Sequence, residues 1–412
     1  MEFDYLLVGG GLASASAAES LRREGAKGTI ALISAEDILP YHRPPLSKKF
    51  LIKNMTSEEL LIYNKSFYKN HKIKVLLGTR VINLYPKEKI IETDNQGAIR
   101  YQKLLIATGS RINKLTVPGY DLHGIYYLRN ISDSEAIKRA TSYSKRAVVV
   151  GSGFIGMELA SAFRREGIQT TIISKGQNIF EGLDSPEISI FFESYYKKQG
   201  VEIILGDTVR EFQGKYHVNG VLTTKGKFIP CDIVGVGIGV TPDTGFLETS
   251  GILLNDGIVV DEYMQTNYKE IYAAGDVARF YDTVFGQYRR VEHWDNAAKQ
   301  GKVAAKNMLG RKECYNEVSY FFSDVFDLSF GFLGYTKDTN ERIIRGSYMD
   351  QSFTVFYLKD GVLSGAFLLN RPNSEEEVAR NLIQNRANLE NNKSELPDIT
   401  LPLDKVAGST AH

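Results

Sequence analysis

The sequence is poor in cysteine, in tryptophan and in net charge. It has two cysteines in 412 residues, Cys231 and Cys314, far apart and in no Cys-x-x-Cys. That excludes a disulfide framework, a zinc cluster and a cysteine-ligated iron–sulfur centre, and suggests a reducing, cytoplasmic setting. Lys and Arg number 50 against 49 Asp and Glu, a formal charge of +1. Nothing in that balance marks a binder of nucleic acid or another polyanion. No apolar run approaches the ~20 residues of a membrane span. The chain enters a strand at Phe3-Asp4-Tyr5-Leu6-Leu7-Val8, so no signal or transit peptide is expected. Hydrophobic residues are plentiful, at 43%, enough for two or three domains with cores of their own.

The first 36 residues read as strand, glycine turn, helix and strand. Tyr5–Val8 is apolar, Gly9-Gly10-Gly11-Leu12-Ala13-Ser14 follows, Ala13–Glu24 favours helix, and Thr29–Ile33 is the next strand. Gly9-x-Gly11-x-x-Ser14 fits a dinucleotide fingerprint. Gly9 permits the tight turn, Gly11 lets a pyrophosphate approach the backbone, and Ser14 is small enough for close helix–strand packing. The helix N-terminus turns its partial positive charge toward the phosphates. Glu36 follows at about the ~20-residue spacing of a ribose-binding acid. The unit then recurs. Ala147–Val150 is apolar and Gly151-x-Gly153-x-x-Gly156 is the full fingerprint. One offset carries Gly9 to Gly151, Gly11 to Gly153 and Arg22-Arg23-Glu24-Gly25 to Arg164-Arg165-Glu166-Gly167. A lone fingerprint is weak, but two in register, each in strand–helix context, form a repeated unit. Two dinucleotide sites in one chain suggest a flavin and a nicotinamide exchanging hydride.

The chain resembles the FAD-dependent pyridine-nucleotide oxidoreductases. Leu105-Ile106-Ala107-Thr108-Gly109-Ser110 is similar to the turn that closes their first FAD segment. Val234–Asp243, with Gly237, resembles the exit from their nicotinamide domain. Ile271-Tyr272-Ala273-Ala274-Gly275-Asp276 resembles their second FAD motif. Pro40-Tyr41-His42-Arg43-Pro44-Pro45-Leu46-Ser47-Lys48 is similar to the segment shared by bacterial ferredoxin reductases, rubredoxin reductases and apoptosis-inducing factor. The disulfide reductases carry redox cysteines near here, whereas this chain has none before Cys231. A thiol relay is thereby excluded, and electrons leave the flavin directly.

The resemblance implies an α/β fold with two Rossmann-like nucleotide-binding domains and a C-terminal α+β domain. An FAD-binding domain would span 1–111 and 243–320. An NAD(P)H-binding domain (112–242) is inserted in it, and a C-terminal interface domain covers 321–412. Lys48 alone reads as a solvated surface charge, and Glu158 as an acid favouring its helix N-terminus. By resemblance they pair beside flavin N5, mutually neutralised, since an unpaired buried charge costs several kcal/mol. Asp276 either ends a turn or accepts from the ribityl chain. Arg43 and Arg129 are surface residues or contacts to the pyrophosphate or adenine, and Val81 is strand core or a backbone contact to adenine. Trp294 is core packing or, by resemblance, an aromatic beside the isoalloxazine. Its helix would run to about Leu309 and aim its N-terminus at the flavin. Ala13, Ala107, Thr108, Gly109 and Gly275 complete the expected FAD contacts.

NADH-specific relatives end the second nicotinamide strand with an acid. Here Ser174-Lys175 stands there, and a hydroxyl followed by a cation suits the 2′-phosphate of NADPH better than NADH. Lys175 alone is a solvated turn residue. In Tyr320–Leu328, Val325-Phe326 replaces the Gln-Tyr pair of related chains, in a region where electron acceptors are thought to approach. Phe353–Leu358 and Gly361–Leu369 flank Asp360-Gly361 as a hairpin, Glu375–Asn385 reads as a closing helix, and residues from about 390 read as loose or docked late. The implied protein is a monomer or homodimer that moves hydride from NADPH or NADH to FAD and single electrons to a ferredoxin or rubredoxin. The rivals are an NAD(P)H oxidase or diaphorase, a monodehydroascorbate-reductase-like enzyme, and a redox-sensing interaction protein like apoptosis-inducing factor.

Overall fold

Each glycine turn joins a buried strand to a helix in the computed structural model, which describes residues 1–52 and 55–408. The chain forms two compact units. One is Met1–His42, Ser57–Arg111 and Thr241–Phe321. The other is Arg43–Thr56, Ile112–Val240 and Phe322–His412. The Pro-rich Arg43–Thr56 segment thus groups with the second unit.

The first unit is built on a seven-stranded sheet. Ile73–Leu76, Ile30–Ile33, Glu2–Val8, Gly97–Ile106 and Ile271–Ala273 lie side by side in parallel. Ile30–Ile33 is buried throughout, the signature of a strand covered on both faces. Gly97–Ile106 forks: Gly97–Arg100 pairs antiparallel with Ile90–Thr93, and Leu104–Ile106 pairs with Ile271–Ala273. That fork brings the chain's return segment beside the first glycine turn. The helices Leu12–Arg23 and Trp294–Met308 pack backbone to backbone, because a Cβ on Gly301 would lie 2.2 Å from the Ala13 carbonyl oxygen. Leu6, Leu32, Leu104 and Ile271 fill the core, each contributing about 1.5–3 kcal/mol by burial.

The second unit repeats the parallel plan. Val201–Leu205, Gln169–Ser174, Arg146–Val150, Ile233–Val236 and Ile125–Tyr127 form one sheet in that order. The fingerprint helix is Phe154–Arg165. The C-terminal sheet is five-stranded, in the order Tyr320–Val325, Leu328–Gly334, Val362–Leu369, Ser352–Lys359 and Glu341–Ser347. Its expected hairpin is present, with Asp360 (φ 50°) and Gly361 (φ 78°) turning in the left-handed region as a two-residue loop requires. The closing helix is Asn373–Gln384.

Of the two alternatives for the segment after residue 390, loose or docked, the structure shows it docked. Leu396 is fully buried, and buried Arg345 donates to the carbonyls of Leu396, Asp398 and Leu401 at 3.0, 2.6 and 2.6 Å while pairing with Glu375 at 3.0 Å. A polar stretch without a periodic pattern is held here by one internal guanidinium. Val325-Phe326 is a packing seam. Val325 is buried, Phe326 stacks edge-on against Tyr195 and Tyr196, its N–H donates to Ser161 Oγ at 2.8 Å and its carbonyl accepts from Arg165.

Candidate functional site

In the first unit Gly9 has φ 125°, and a Cβ there would sit 2.1 Å from the Ala107 carbonyl oxygen. The turn therefore backs directly onto the next strand end, where Ala107 N–H donates to the Val8 carbonyl at 2.7 Å. Gly11 caps the helix, and a Cβ there would meet nothing within 4 Å. One glycine is needed because there is no room. The other leaves the helix N-terminus open to an anion. Ser14 is buried. Glu36 accepts from the Tyr41 hydroxyl at 2.6 Å, which orients its carboxylate. Thr108 donates to the Asp243 carbonyl at 2.8 Å, Gly109 turns with φ 72°, and Asp276 accepts from Ser110 at 2.8 Å. Gly275, with φ 80°, donates its N–H to Gln300 Oε1 at 2.9 Å. Val81 is buried strand core, paired with Thr93.

Trp294 opens its helix as expected and is 40% exposed. Its Nε1–H donates to His42 Nδ1 at 3.2 Å, with ring centroids 5.7 Å apart. Accepting at Nδ1 requires that nitrogen to be unprotonated, and burial holds the His42 pKa below its usual value. His293, at the helix cap, is pushed down to about 4 by burial and by Arg289, against the pull of Asp276. Burial disfavours the charged form of both imidazoles.

In the second unit Lys48 Nζ lies 2.7 Å from Glu158 Oε1, with side chains 14% and 5% exposed. The pair was legible in the sequence, but its companions were not. Ser323 donates to Oε1 of the same carboxylate, and Ser47 donates to Oε2. The Phe322 ring lies 5.7 Å from the Lys48 ammonium. Arg43 Nη1 donates to the Arg129 carbonyl at 2.6 Å, and the Arg129 N–H is held by the Asp133 carboxylate at 2.9 Å.

The second glycine turn copies the first. Gly151 has φ 104°, and its Cβ would sit 2.2 Å from the Gly237 carbonyl oxygen; a Cβ on Gly153 would meet nothing within 4 Å; one on Gly156 would sit 2.1 Å from the Gly151 oxygen. Ser174 is buried, and its hydroxyl bonds the Ser152 hydroxyl at 2.7 Å. Lys175 beside it is exposed. Two turns, each with an open helix N-terminus, fit the pyrophosphates of two dinucleotides.

Residues 3–301 match the pyridine nucleotide-disulphide oxidoreductase family, and residues 320–407 match the reductase C-terminal family. The chain belongs to the first of these, an FAD-dependent NAD(P)H oxidoreductase carrying the second as its C-terminal part. It is 35% identical to the 5,5′-dehydrodivanillate O-demethylase ferredoxin reductase subunit of Sphingobium sp., over 90% of each chain. It is 33% identical to the peroxisomal monodehydroascorbate reductase 4 of Arabidopsis thaliana, over 91% of this chain and 81% of that one. The putidaredoxin reductase of a covalent putidaredoxin reductase–putidaredoxin complex superposes with a TM-score of 0.95 at 30% identity, over 99% of each chain. The disulphide of the family's description has no counterpart here. Cys231 is fully buried with its thiol pushed up to about 12, and Cys314 is unpaired as well. Among the described residues no helix is long and apolar enough to cross a membrane, and no group of His, Cys, Asp or Glu is laid out to hold a metal ion.

Proposed function

We propose that the chain is a flavoprotein reductase that takes hydride from NAD(P)H to FAD and passes single electrons to a ferredoxin- or rubredoxin-type protein in the cytoplasm. The observation that carries this reading is the pair of matching glycine turns in a chain with no cysteine before Cys231. FAD supplies a two-electron acceptor at N5 that can release electrons singly. Each hydride then serves two one-electron acceptors.

FAD belongs to 1–111 and 243–320, the nicotinamide nucleotide to 112–242, and 321–412 form the interface part. Gly9, Gly11, Ala13 and Ser14 cradle the FAD pyrophosphate, Glu36 holds a ribose, and Ala107, Thr108, Gly109, Gly275 and Asp276 hold the ribityl side. Arg43, Arg129 and Val81 border the pyrophosphate and adenine. Gly151, Gly153, Gly156 and Gly237 form the second cradle. Lys48 and Glu158 are assigned to the flavin N5 edge, and Trp294 is assigned to the isoalloxazine. Ser174 is engaged by Ser152, so discrimination between nucleotides falls to exposed Lys175, a cation suited to the 2′-phosphate of NADPH.

An iron–sulfur protein is favoured over a small anionic acceptor such as an oxidised ascorbate. Arg289 is engaged by Asp282 at 3.0 Å and by Ser319, and Arg290 by Asp256 and Glu292. Neither guanidinium is laid out as an anion receptor. The test is NADPH-driven cytochrome c reduction. We expect it to be fast only when a ferredoxin or rubredoxin is added. Equal rates without the iron–sulfur protein would contradict the reading.

A further inference from the structure

We infer that Ser323 and Ser47 are positioning residues that fix the Lys48–Glu158 pair, so that the C-terminal segment takes part in the hydride step. The inference rests on the reductase reading above and deepens it.

The Glu158 carboxylate only accepts hydrogen bonds, so the hydroxyls of Ser47 and Ser323 have to be the donors. Both serines are almost fully buried, at 4% and 2% exposure. A hydroxyl in that setting is costly unless bonded, and each is bonded to this carboxylate. A lysine on Oε1 alone leaves the carboxylate plane free to swing. Donors on both oxygens fix the plane, and with it the point where the ammonium sits. The two serines come from separate places. Ser47 ends the short helix Pro44–Ser47, whose Leu46 carbonyl is tied by Ser134 at 2.7 Å. Ser323 is on Tyr320–Val325, where buried and exposed positions alternate. Its neighbour Phe322 lies against the Lys48 ammonium. Two consecutive residues of one C-terminal strand therefore touch both members of the pair.

Alternatively, Ser323 merely satisfies its own hydrogen bond. A kinetic cycle separates the two. Wild-type holoenzyme, Ser323→Ala, Ser323→Thr, Ser47→Ala, Glu158→Gln and Ser323→Ala/Glu158→Gln are mixed anaerobically with saturating NADPH or NADH, and flavin bleaching is followed by stopped flow. Ser323→Ala and Ser47→Ala should each slow bleaching roughly tenfold, the loss expected for one hydrogen bond to a charge. FAD content and the nucleotide concentration for half-maximal rate should be unchanged. Ser323→Thr should restore the rate to within about twofold. Ser323→Ala should have no further effect once Glu158 is Gln, because residues acting through one another are non-additive. Wild-type rates in both alanine variants, or a Ser323→Ala effect that multiplies with Glu158→Gln, would overturn the inference and leave the reductase reading standing. A wild-type flavin that neither nucleotide bleaches would overturn the reading itself, and the inference with it.

Discussion

The two glycine turns solve the same steric problem and then diverge in charge. Gly9 and Gly151 both back onto a neighbouring carbonyl, Gly11 and Gly153 both face open space, and in both loops the residue between them meets a serine at the end of the next strand. Gly10 has no room for a Cβ beside Ser34, whereas Ser152 bonds Ser174. Past that serine the first turn has Glu36, braced by Tyr41, and the second has exposed Lys175. The turn is thus a backbone property shared by both, and the charge that follows it differs. The helices differ too. The first carries Ala13 against Gly301, while the second carries Glu158 to Lys48.

The largest effect should come from exchanging the cradles' roles. Gly9→Ala should yield protein with less than about a tenth of normal FAD, because the left-handed turn is strained and the carbonyl blocks the methyl. Gly151→Ala should stay yellow yet resist bleaching by NADPH. Absorbance ratios and anaerobic titration would show it, and identical phenotypes would break the comparison. Glu158→Ala comes next. Stripping a buried ammonium of its partner costs about 3–5 kcal/mol, so flavin reduction should slow by more than FAD affinity weakens. Unchanged reduction kinetics would remove Glu158 from the site. Lys175→Glu should lower the kcat/KM preference for NADPH over NADH about tenfold, or ~1.4 kcal/mol. A wild-type protein that already prefers NADH tenfold would contradict the role given to Lys175. The smallest change is Glu36→Gln, which keeps Tyr41 bonded. FAD affinity measured by fluorescence should fall less than about tenfold.

The features visible in the sequence were local. Strand, glycine turn and helix are adjacent in the chain, Asp360-Gly361 lies between two alternating strands, and Lys48 and Glu158 each sit inside a recognisable motif. The features that escaped depend on distant pairing. Ser47 and Ser323 meet Glu158 across 111 and 165 residues, and a single serine on a strand has no periodic signature. The docked tail hangs on Arg345, more than fifty residues upstream of the carbonyls it binds. By resemblance Val325-Phe326 stood where electron acceptors approach, and its packing against Tyr195 and Tyr196, more than 120 residues upstream, left no local mark in the sequence.

The central claim is that one chain holds two different adenine dinucleotides, one as donor to the other. Stoichiometric anaerobic titration of the purified yellow protein with NADPH tests it most directly. Flavin absorbance should be lost, completely at one nucleotide per FAD. Absorbance that stays constant through excess NADPH and NADH, with a single bound dinucleotide by mass analysis, would contradict it.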